Sequence, residues 1–359
     1  MSKLKIAIIG CGGIANEKQM PSLAKLDTVE MVAFCDLVKE RAVKAAAGYG
    51  ISEANVYTSY QELLEKEKLD VVHVCTPNKS HAEISIAALE AGNHVMCEKP
   101  MAKTASEARE MVDVSKRTGK KLTIGYNNRF RDDSLYMKDV CESGELGDVY
   151  FAKAHAIRRR AVPTWGVFLN EEEQGGGPLI DIGTHALDLT LWMMDNYEVK
   201  SVVGNVFHKL SDQESRANAF GPWDAKEFSV EDSAFGMITM KNGATVILES
   251  SWVLNTLDVG EAQTTLCGTN GGADMKDGLR INGEKHGKLH TIKPDLDAGG
   301  VAFFDGAVES DADREARLWI ECILNDTEPI VKPEQALVVS DILEAIYESA
   351  KTGKAVYFD

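Results

Sequence analysis

Continuous apolar runs alternate with helical patterns over residues 1–126. The predicted strands are Lys5–Ile9, Val29–Cys35, Val71–Thr76, His94–Glu98 and Lys121–Gly125. The predicted helices between and after them are Ile14–Leu26, Val38–Gly48, Tyr60–Lys66, His81–Gly92 and Ser106–Thr118. Two of these helices begin with capping-box sequences, Ser59-x-x-Glu62 and Thr104-x-x-Glu107. Strands that are apolar without alternation are buried on both faces, so the pattern predicts a doubly wound α/β domain with a parallel sheet.

The pattern changes over residues 127–359. A long amphipathic helix is predicted at Pro178–Met194 and a final helix at Pro333–Lys351. The apolar runs Phe235–Met240 and Ala244–Ser250 flank an Asn-Gly pair, which is a strong hairpin signal, and Asn282-Gly283 indicates a second hairpin. Strand-rich sequence with a few helices predicts an α+β domain built on an open, mostly antiparallel sheet.

Composition and charge restrict the partners. The 359 residues are 44% hydrophobic and carry a formal net charge of −17, which opposes binding to nucleic acid or to an anionic membrane. No run reaches the roughly 20 apolar residues of a membrane span. The seven cysteines form no Cys-x-x-Cys pair, so we expect reduced thiols and a cytoplasmic protein.

A glycine-rich turn follows the first predicted strand. The sequence Gly10-Cys11-Gly12-Gly13-Ile14-Ala15 fits a G-x-G-x-x-A dinucleotide fingerprint, in which the glycines allow a tight turn and a close approach of pyrophosphate to a helix N-terminus. Asp36 ends the second strand, where a carboxylate binds the ribose hydroxyls. A 2′-phosphate roughly 4 Å from that carboxylate would cost about 4 kcal/mol per charge at an effective dielectric constant of about 20. These residues therefore predict NAD rather than NADP as the cofactor.

Two further motifs end strands of the predicted parallel sheet. Thr76-Pro77-Asn78 with His81 follows the third long strand, and Glu98-Lys99-Pro100 follows the fourth. Ligands bind at the carboxyl ends of strands in open α/β sheets. Both motifs are therefore candidates for cofactor binding.

The predicted helix at Pro178–Met194 carries polar residues on one face. Asp181, His185 and Asp188 have i, i+4 and i+7 spacing. The residues alone leave three interpretations open: a catalytic site, a solvated face, or a metal site. The last lacks an evident third ligand, so we expect no metal.

Together these motifs resemble the Gfo/Idh/MocA family, the group of glucose–fructose oxidoreductase and inositol dehydrogenase. The resemblance covers essentially the whole chain and rests on Gly10–Ala15, Thr76–Asn78, His81, Glu98–Pro100, and Asp181 with His185. It implies Lys99 beside the nicotinamide, Asp181 and His185 facing it from the second domain, and a homodimer or homotetramer formed through the C-terminal sheet.

The resemblance also implies a reaction. Oxidation of a secondary hydroxyl sends hydride to the nicotinamide C4 while a base takes the proton, and histidine suits that role because its pKa lies near neutrality. We expect His185 as the base, Lys99 as its electrostatic partner, and Asp181 orienting His185 or binding a neighbouring hydroxyl. Glycoside cleavage through transient oxidation and non-catalytic dinucleotide binding are the alternatives within the family.

Other polar residues are expected to bind the substrate. The candidates are Tyr126, Asn127, Arg129, Lys153, His155, Arg158 and Trp165. Within the family, the segments Arg158–Trp165 and Gly175–Leu187 resemble enzymes acting on pyranoses, including the anhydrosugar levoglucosan. Its arginines donate hydrogen bonds to a neutral sugar or pair with a sugar acid, and we favour the neutral ring because Trp165 supplies an aromatic face.

Overall fold

The computed structural model describes residues 3–213, 217–296 and 309–358. The chain forms two compact units: the first comprises Met1–Asn127 and Glu309–Leu337, and the second comprises Asn128–Val308 and Val338–Asp359. The segment Glu309–Leu337, which the sequence pattern places in the second domain, thus belongs with the first unit. Among the described residues, no helix is long and apolar enough to span a bilayer.

The first unit contains a six-stranded sheet in which every pairing is parallel. Its strands are β1 (Leu4–Ile9), β2 (Val29–Cys35), β3 (Asn55–Tyr57), β4 (Val71–Val74), β5 (His94–Cys97) and β6 (Leu122–Ile124). The spatial order is β3-β2-β1-β4-β5-β6, so the order reverses between β1 and β4. That reversal is where dinucleotides bind in doubly wound sheets, and the fold class predicted for this half is confirmed.

Helices connect these strands. They are α1 (Met20–Leu23), α2 (Lys39–Tyr49), α3 (Tyr60–Lys66), α4 (His81–Glu90) and α5 (Ala105–Thr118). The Thr104 hydroxyl accepts from Glu107 N while the Glu107 carboxylate accepts from Thr104 N, so the predicted capping box is confirmed. At α3 the Ser59 hydroxyl accepts from Glu62 N. A π turn (Ala15–Gln19) leads into α1. The residue pattern predicted a helix here but did not indicate the π turn.

A helix distant in sequence completes the core of the first unit. In α9 (Asp311–Leu324), Trp319 and Ile320 are buried in the same hydrophobic cluster as Ile6, Met20 and Phe34. The amphipathic face of α9 therefore finds its partner in the first unit.

The second unit contains a nine-stranded sheet in the order β14-β13-β12-β11-β7-β10-β9-β8-β15. Its strands are β7 (Val149–Ile157), β8 (Val199–Phe207), β9 (Ser233–Met240), β10 (Thr245–Ser251), β11 (Gly260–Gly268), β12 (Gly271–Asp274), β13 (Arg280–Lys285), β14 (Lys288–Ile292) and β15 (Val356–Tyr357). Every pairing is antiparallel except β7 with β10. The predicted mostly antiparallel sheet and the β9–β10 hairpin are confirmed.

The second hairpin turns at a different place. Asn282-Gly283 lies inside β13, paired with β12 on one side and β14 on the other. The turn is at His286-Gly287, where both residues have positive φ, 54° and 72°. Two consecutive positive φ angles are typical of a two-residue type I′ hairpin turn. The predicted turn at Asn282-Gly283 was wrong because strands on both sides hold that pair extended.

The described part of the second unit has four helices, of which the third and fourth pack on one face of this sheet. They are α6 (Asp132–Glu142), α7 (Glu171–Gln174), α8 (Thr184–Met194) and α10 (Pro333–Thr352), which begins within the first unit. A π turn (Leu179–Gly183) precedes α8. On β11, Thr264 shares a hydrogen bond of 2.6 Å with Thr190 of α8, and its register partner on β7 is the buried Ala154. Ala152, Ala154 and Ala156 therefore face α8, whereas Lys153 and His155 lie on the opposite face.

Candidate functional site

The glycine turn ends β1 beside β4. Gly10 has φ +91°, and a Cβ there would lie 2.6 Å from the carbonyl carbon of Cys75, so both conformation and space require glycine. A Cβ at Gly12 would meet nothing within 4 Å, so the space beside the turn is open. This open space before a helix N-terminus fits the pyrophosphate of a dinucleotide.

Asp36 lies directly beside the same turn. Its Oδ2 accepts from Cys11 N at 2.9 Å and its Oδ1 accepts from Val38 N at 2.8 Å. The carboxylate is thereby fixed between the first glycine turn and the end of β2. The residues predicted from the fingerprint are brought together, and a carboxylate held at this point fits the ribose of NAD.

The motifs after β4 and β5 are tied to each other. His81 is 1% exposed, and its ring nitrogens lie 2.7 Å from Pro100 O and 2.8 Å from Thr76 O. A neutral imidazole has one N–H, so it donates to one of these carbonyls at a time. The ring of His81, a predicted cofactor residue, is buried and joins the loops that carry Thr76 and the half-buried Lys99.

Glu98 is also buried, in a polar cluster. Its Oε1 accepts from Gln19 Nε2 at 2.7 Å and lies 3.7 Å from Lys18 Nζ, whose closer partner is Glu315 Oε2 at 2.7 Å. Gln19 Oε1 lies 3.1 Å from His73 Nδ1, so Gln19 donates to Glu98 and accepts from His73. The Glu98 side chain, predicted to bind the cofactor, is thus occupied by protein partners next to Lys99.

Three side chains in this cluster have pKa values shifted from their usual ranges. Burial lowers the pKa of His73 to about 3, with help from Lys18, which keeps the ring neutral. Burial raises the pKa of Glu315 to about 7, and Glu98 adds to the rise while Lys18 opposes it. Burial alone would lower the pKa of Lys18, but Glu315 and Glu98 outweigh it, so its pKa is raised and it stays a cation.

In the second unit, the segment before α8 is packed tightly at its N-terminal end. The Glu231 carboxylate accepts from Gly177 N at 2.8 Å and Leu179 N at 3.1 Å, and Tyr347 donates to it at 2.9 Å. A Cβ at Gly177 would lie 2.2 Å from Glu231 O. The glycine run before Pro178 therefore serves close packing against this carboxylate.

Asp181 and His185 differ from their neighbours on this segment. Over residues 176–193 every side chain is buried except those of Asp181 and His185. Asp188, predicted on the same face, is 1% exposed and receives two hydrogen bonds from Arg129, at 2.9 and 2.6 Å. Asp188 lies one turn after His185 in α8, and its carboxylate is covered by Arg129 instead of being open to solvent.

The residue pattern did not indicate that Trp252 contacts Asp181. The Nε1 of Trp252 donates to Asp181 Oδ2 at 3.0 Å, and its ring is completely buried. Phe168 lies edge-on to the Trp252 ring with centroids 6.4 Å apart, and Trp165, 52% exposed, packs against Phe168 at 5.6 Å. An aromatic path thus runs from Asp181 outward to Trp165. No local signal marks Trp252, which lies 71 residues from Asp181 along the chain.

Four predicted substrate residues lie elsewhere. Arg129 is fully buried against Asp188, and Tyr126 is 1% exposed, so neither side chain offers surface to a ligand. Lys153 and His155 lie on the sheet face opposite α8, where His155 Nδ1 contacts Glu249 at 2.9 Å. These placements do not favour a substrate contact for the four side chains, and their predicted role stays a prediction. Asn127 is half-buried in a 3₁₀ turn.

Arg158 lies just after β7 and has a carboxylate partner of its own. Its Nε and Nη2 donate to the two oxygens of Glu261 at 2.6 and 2.7 Å, and Nη1 donates to Ala161 O. Burial alone would lower the pKa of Arg158, but Glu261 and then Asp181 raise it, so the guanidinium stays charged. Its fork is already filled by a carboxylate of the protein.

Known proteins share this organisation over the whole chain. Residues 4–126 match the oxidoreductase family with an NAD-binding Rossmann fold, and residues 138–358 match its C-terminal alpha/beta domain. The D-glucoside 3-dehydrogenase of Escherichia coli (strain K12) is 38% identical over 99% of this chain and 97% of that protein. The crystal structure of aldose-aldose oxidoreductase from Caulobacter crescentus complexed with glycerol has a TM-score of 0.80 and 25% identity, covering 99% of this chain and 100% of that one.

Levoglucosan dehydrogenase in complex with NADH, at 22% identity over the full length of both chains, has a TM-score of 0.81 and shares the fold. The matches to both domain models, in order and over nearly all residues, agree with the glycine turn, Asp36 and the two sheets. The chain belongs to the Gfo/Idh/MocA family of NAD-binding oxidoreductases.

Proposed function

We propose that this protein is an NAD-dependent dehydrogenase that oxidises a secondary ring hydroxyl of a neutral pyranoside, anhydrosugar or cyclic polyol. The observation that carries the proposal is the placement of Asp181 and His185, the two side chains left with solvent access on an otherwise buried segment. A carboxylate and an imidazole in such a position suit proton transfer from a hydroxyl.

The two units have different roles in the proposed reaction. Residues 1–126 bind NAD through Gly10–Ala15, Asp36 and the loop Thr76–Asn78, and the bound nicotinamide accepts the hydride. His185 takes the hydroxyl proton, Asp181 orients His185 or a neighbouring hydroxyl, and Lys99 stabilises negative charge developing on the substrate oxygen.

The partner of Arg158 supports a neutral substrate. Because Glu261 fills both donor sites of the guanidinium fork, a substrate carboxylate would have to displace it. The exposed face of Trp165 suits the apolar face of a sugar ring. Two relatives support the class: the D-glucoside 3-dehydrogenase named above and a D-apiose dehydrogenase of Paraburkholderia graminis, 26% identical over 99% of this chain.

A panel of substrates tests the proposal. Purified protein with NAD is offered methyl glucosides, free hexoses, inositols, levoglucosan and glucuronic acid, and reduced nicotinamide is followed by absorbance. We expect net NADH with a neutral pyranoside or polyol, and His185→Ala to lower kcat by about 10²–10⁴.

Product analysis separates the alternatives. Cleavage of a glycoside without net NADH would indicate transient oxidation instead. NAD binding without turnover of any sugar would indicate a regulator, and activity on the uronic acid alone would contradict the neutral substrate.

The open face of the second sheet supports self-association. Met237 and Val203, on neighbouring strands, are 46% and 40% exposed on the face opposite α8. We expect a homodimer or homotetramer through this face, and light scattering that gave a monomer mass at micromolar concentration would contradict it. The seven free cysteines suit a reducing compartment, and we place the protein in the cytoplasm.

A further inference from the structure

Trp252 holds Asp181 from within the protein. The residue follows β10, and its backbone N–H donates to Asp232 O at 3.2 Å, so its position is tied to the sheet. Phe168 and Phe228 lie 6.4 and 6.2 Å from its ring centre. The ring is fixed on two sides, and the indole N–H that reaches Asp181 Oδ2 is correspondingly fixed in direction.

The donor and acceptor of this hydrogen bond cannot exchange roles. An indole N–H is a donor and never an acceptor, and a hydrogen bond to an ionised acceptor is roughly twice as strong as one to a neutral acceptor. Trp252 therefore favours one rotamer of Asp181 and its carboxylate form. Arg158, kept charged by Glu261, adds a favourable field at Asp181.

We propose that Trp252 is a positioning residue that acts through Asp181, holding the carboxylate in the orientation that the oxidation requires. Because Trp252 is 0% exposed, it touches neither substrate nor cofactor. The inference rests on the proposed function, in which Asp181 takes part in the reaction.

The chain contains a matched control for this bond. Trp223 is also buried, its Nε1 also donates at 3.0 Å, and its ring also packs against Phe228, at 6.1 Å. Its acceptor is the backbone carbonyl of Ser211, not Asp181. Replacing either tryptophan with phenylalanine removes one indole donor from the same group of rings.

Kinetics of both variants test the proposal. We expect Trp252→Phe to lower kcat by about 10-fold to 100-fold, as for a misoriented catalytic group, and to leave the KM for NAD unchanged. Trp223→Phe should keep the kcat of the unmodified enzyme, with a similar loss of thermal stability. An unchanged kcat in Trp252→Phe, or an equal fall in Trp223→Phe, would overturn the inference.

A double-variant cycle shows whether the effect passes through Asp181. In an Asp181→Asn background, Trp252→Phe should cause no further fall in kcat, whereas a purely structural effect would add to it. If Asp181→Asn alone kept full activity, the proposed role of Asp181 would fail, and the inference with it. If Phe at 252 prevented folding, benzothienylalanine at that position removes the N–H from a ring of the same shape.

A spectroscopic readout is independent of turnover. The indole N–H resonance of Trp252 should shift on Asp181→Asn, while that of Trp223 should stay in place. A Trp252 resonance that did not move would overturn the hydrogen bond itself, even in an enzyme whose substrate had been correctly identified.

Discussion

Lys18 in the first unit is a largely covered cation and Arg129 in the second a fully buried one, and the two contact different numbers of carboxylates. Arg129 is completely buried and forms a two-pronged pair with Asp188 alone. Lys18, with 11% of its side chain exposed, lies between Glu98 and Glu315. The Arg129 pair balances one positive charge against one carboxylate, whereas the Lys18 cluster has one carboxylate more than it has cations.

The geometry of the two cations explains this difference. A guanidinium is planar and fills both oxygens of one carboxylate, and Arg129 also lies 5.4 Å from the centre of the Trp192 ring. An ammonium is a compact point charge that more than one acceptor can approach. The Arg129 pair is therefore suited to holding the structure together. In the Lys18 cluster, Glu315 changes its protonation state near neutral pH, since burial raises its pKa to about 7.

Removing Arg129 should have the largest effect on stability. Arg129→Met leaves Asp188 buried without its cation, and we expect the free energy of unfolding to fall by about 3–5 kcal/mol. Urea denaturation measures the loss. The double variant Arg129→Met with Asp188→Leu should recover most of it, because an apolar pair replaces the charges. A single variant as stable as the unmodified protein would contradict a structural role for the pair.

Removing Lys18 should have a smaller effect. In Lys18→Met two carboxylates remain without their cation, and Glu315 can take up a proton, which removes one of the two negative charges. We therefore expect the free energy of unfolding to fall by only about 1–3 kcal/mol. The matched control is Lys25→Ala. Lys25 also pairs with α9, through Asp313 at 2.7 Å, but its side chain is 62% exposed. Such exposed pairs contribute about 0–1 kcal/mol, and equal losses in the two variants would show that burial of the Lys18 cluster does not matter.

The stability of the Lys18 cluster should also depend on pH. The pKa of Glu315 rises from 4.5 to about 7 on folding, so the unfolded chain releases this proton first as pH increases. Its contribution lowers stability between about pH 4.5 and pH 7, by up to about 1.4 kcal/mol per pH unit. Glu315→Gln should remove this decline, and thermal melts across that range measure it. An unchanged pH profile in Glu315→Gln would contradict the raised pKa.

The elements that sequence predicted well depend on neighbouring residues. The glycine turn, the Thr104 capping box, α3 and the β9–β10 hairpin are encoded within a few residues each, and all were found where predicted. Their hydrogen bonds and φ angles are local, so the residue pattern is sufficient. Trp252 and the environments of Glu98 and Arg129 depend on partners far away in the chain, and no local pattern marks them.

Residue patterns alone were enough to predict the two fold classes, the dinucleotide turn with Asp36, and Asp181 and His185 as candidates. Which polar residues keep solvent access depends on tertiary packing. Lys153 and His155 face away from α8 because their alanine neighbours pack beneath it, and Asp188 is buried because Arg129 covers its carboxylate. Tertiary packing also determines that α9 completes the first unit, because an amphipathic helix packs where an apolar surface is left uncovered, whatever its place in the chain.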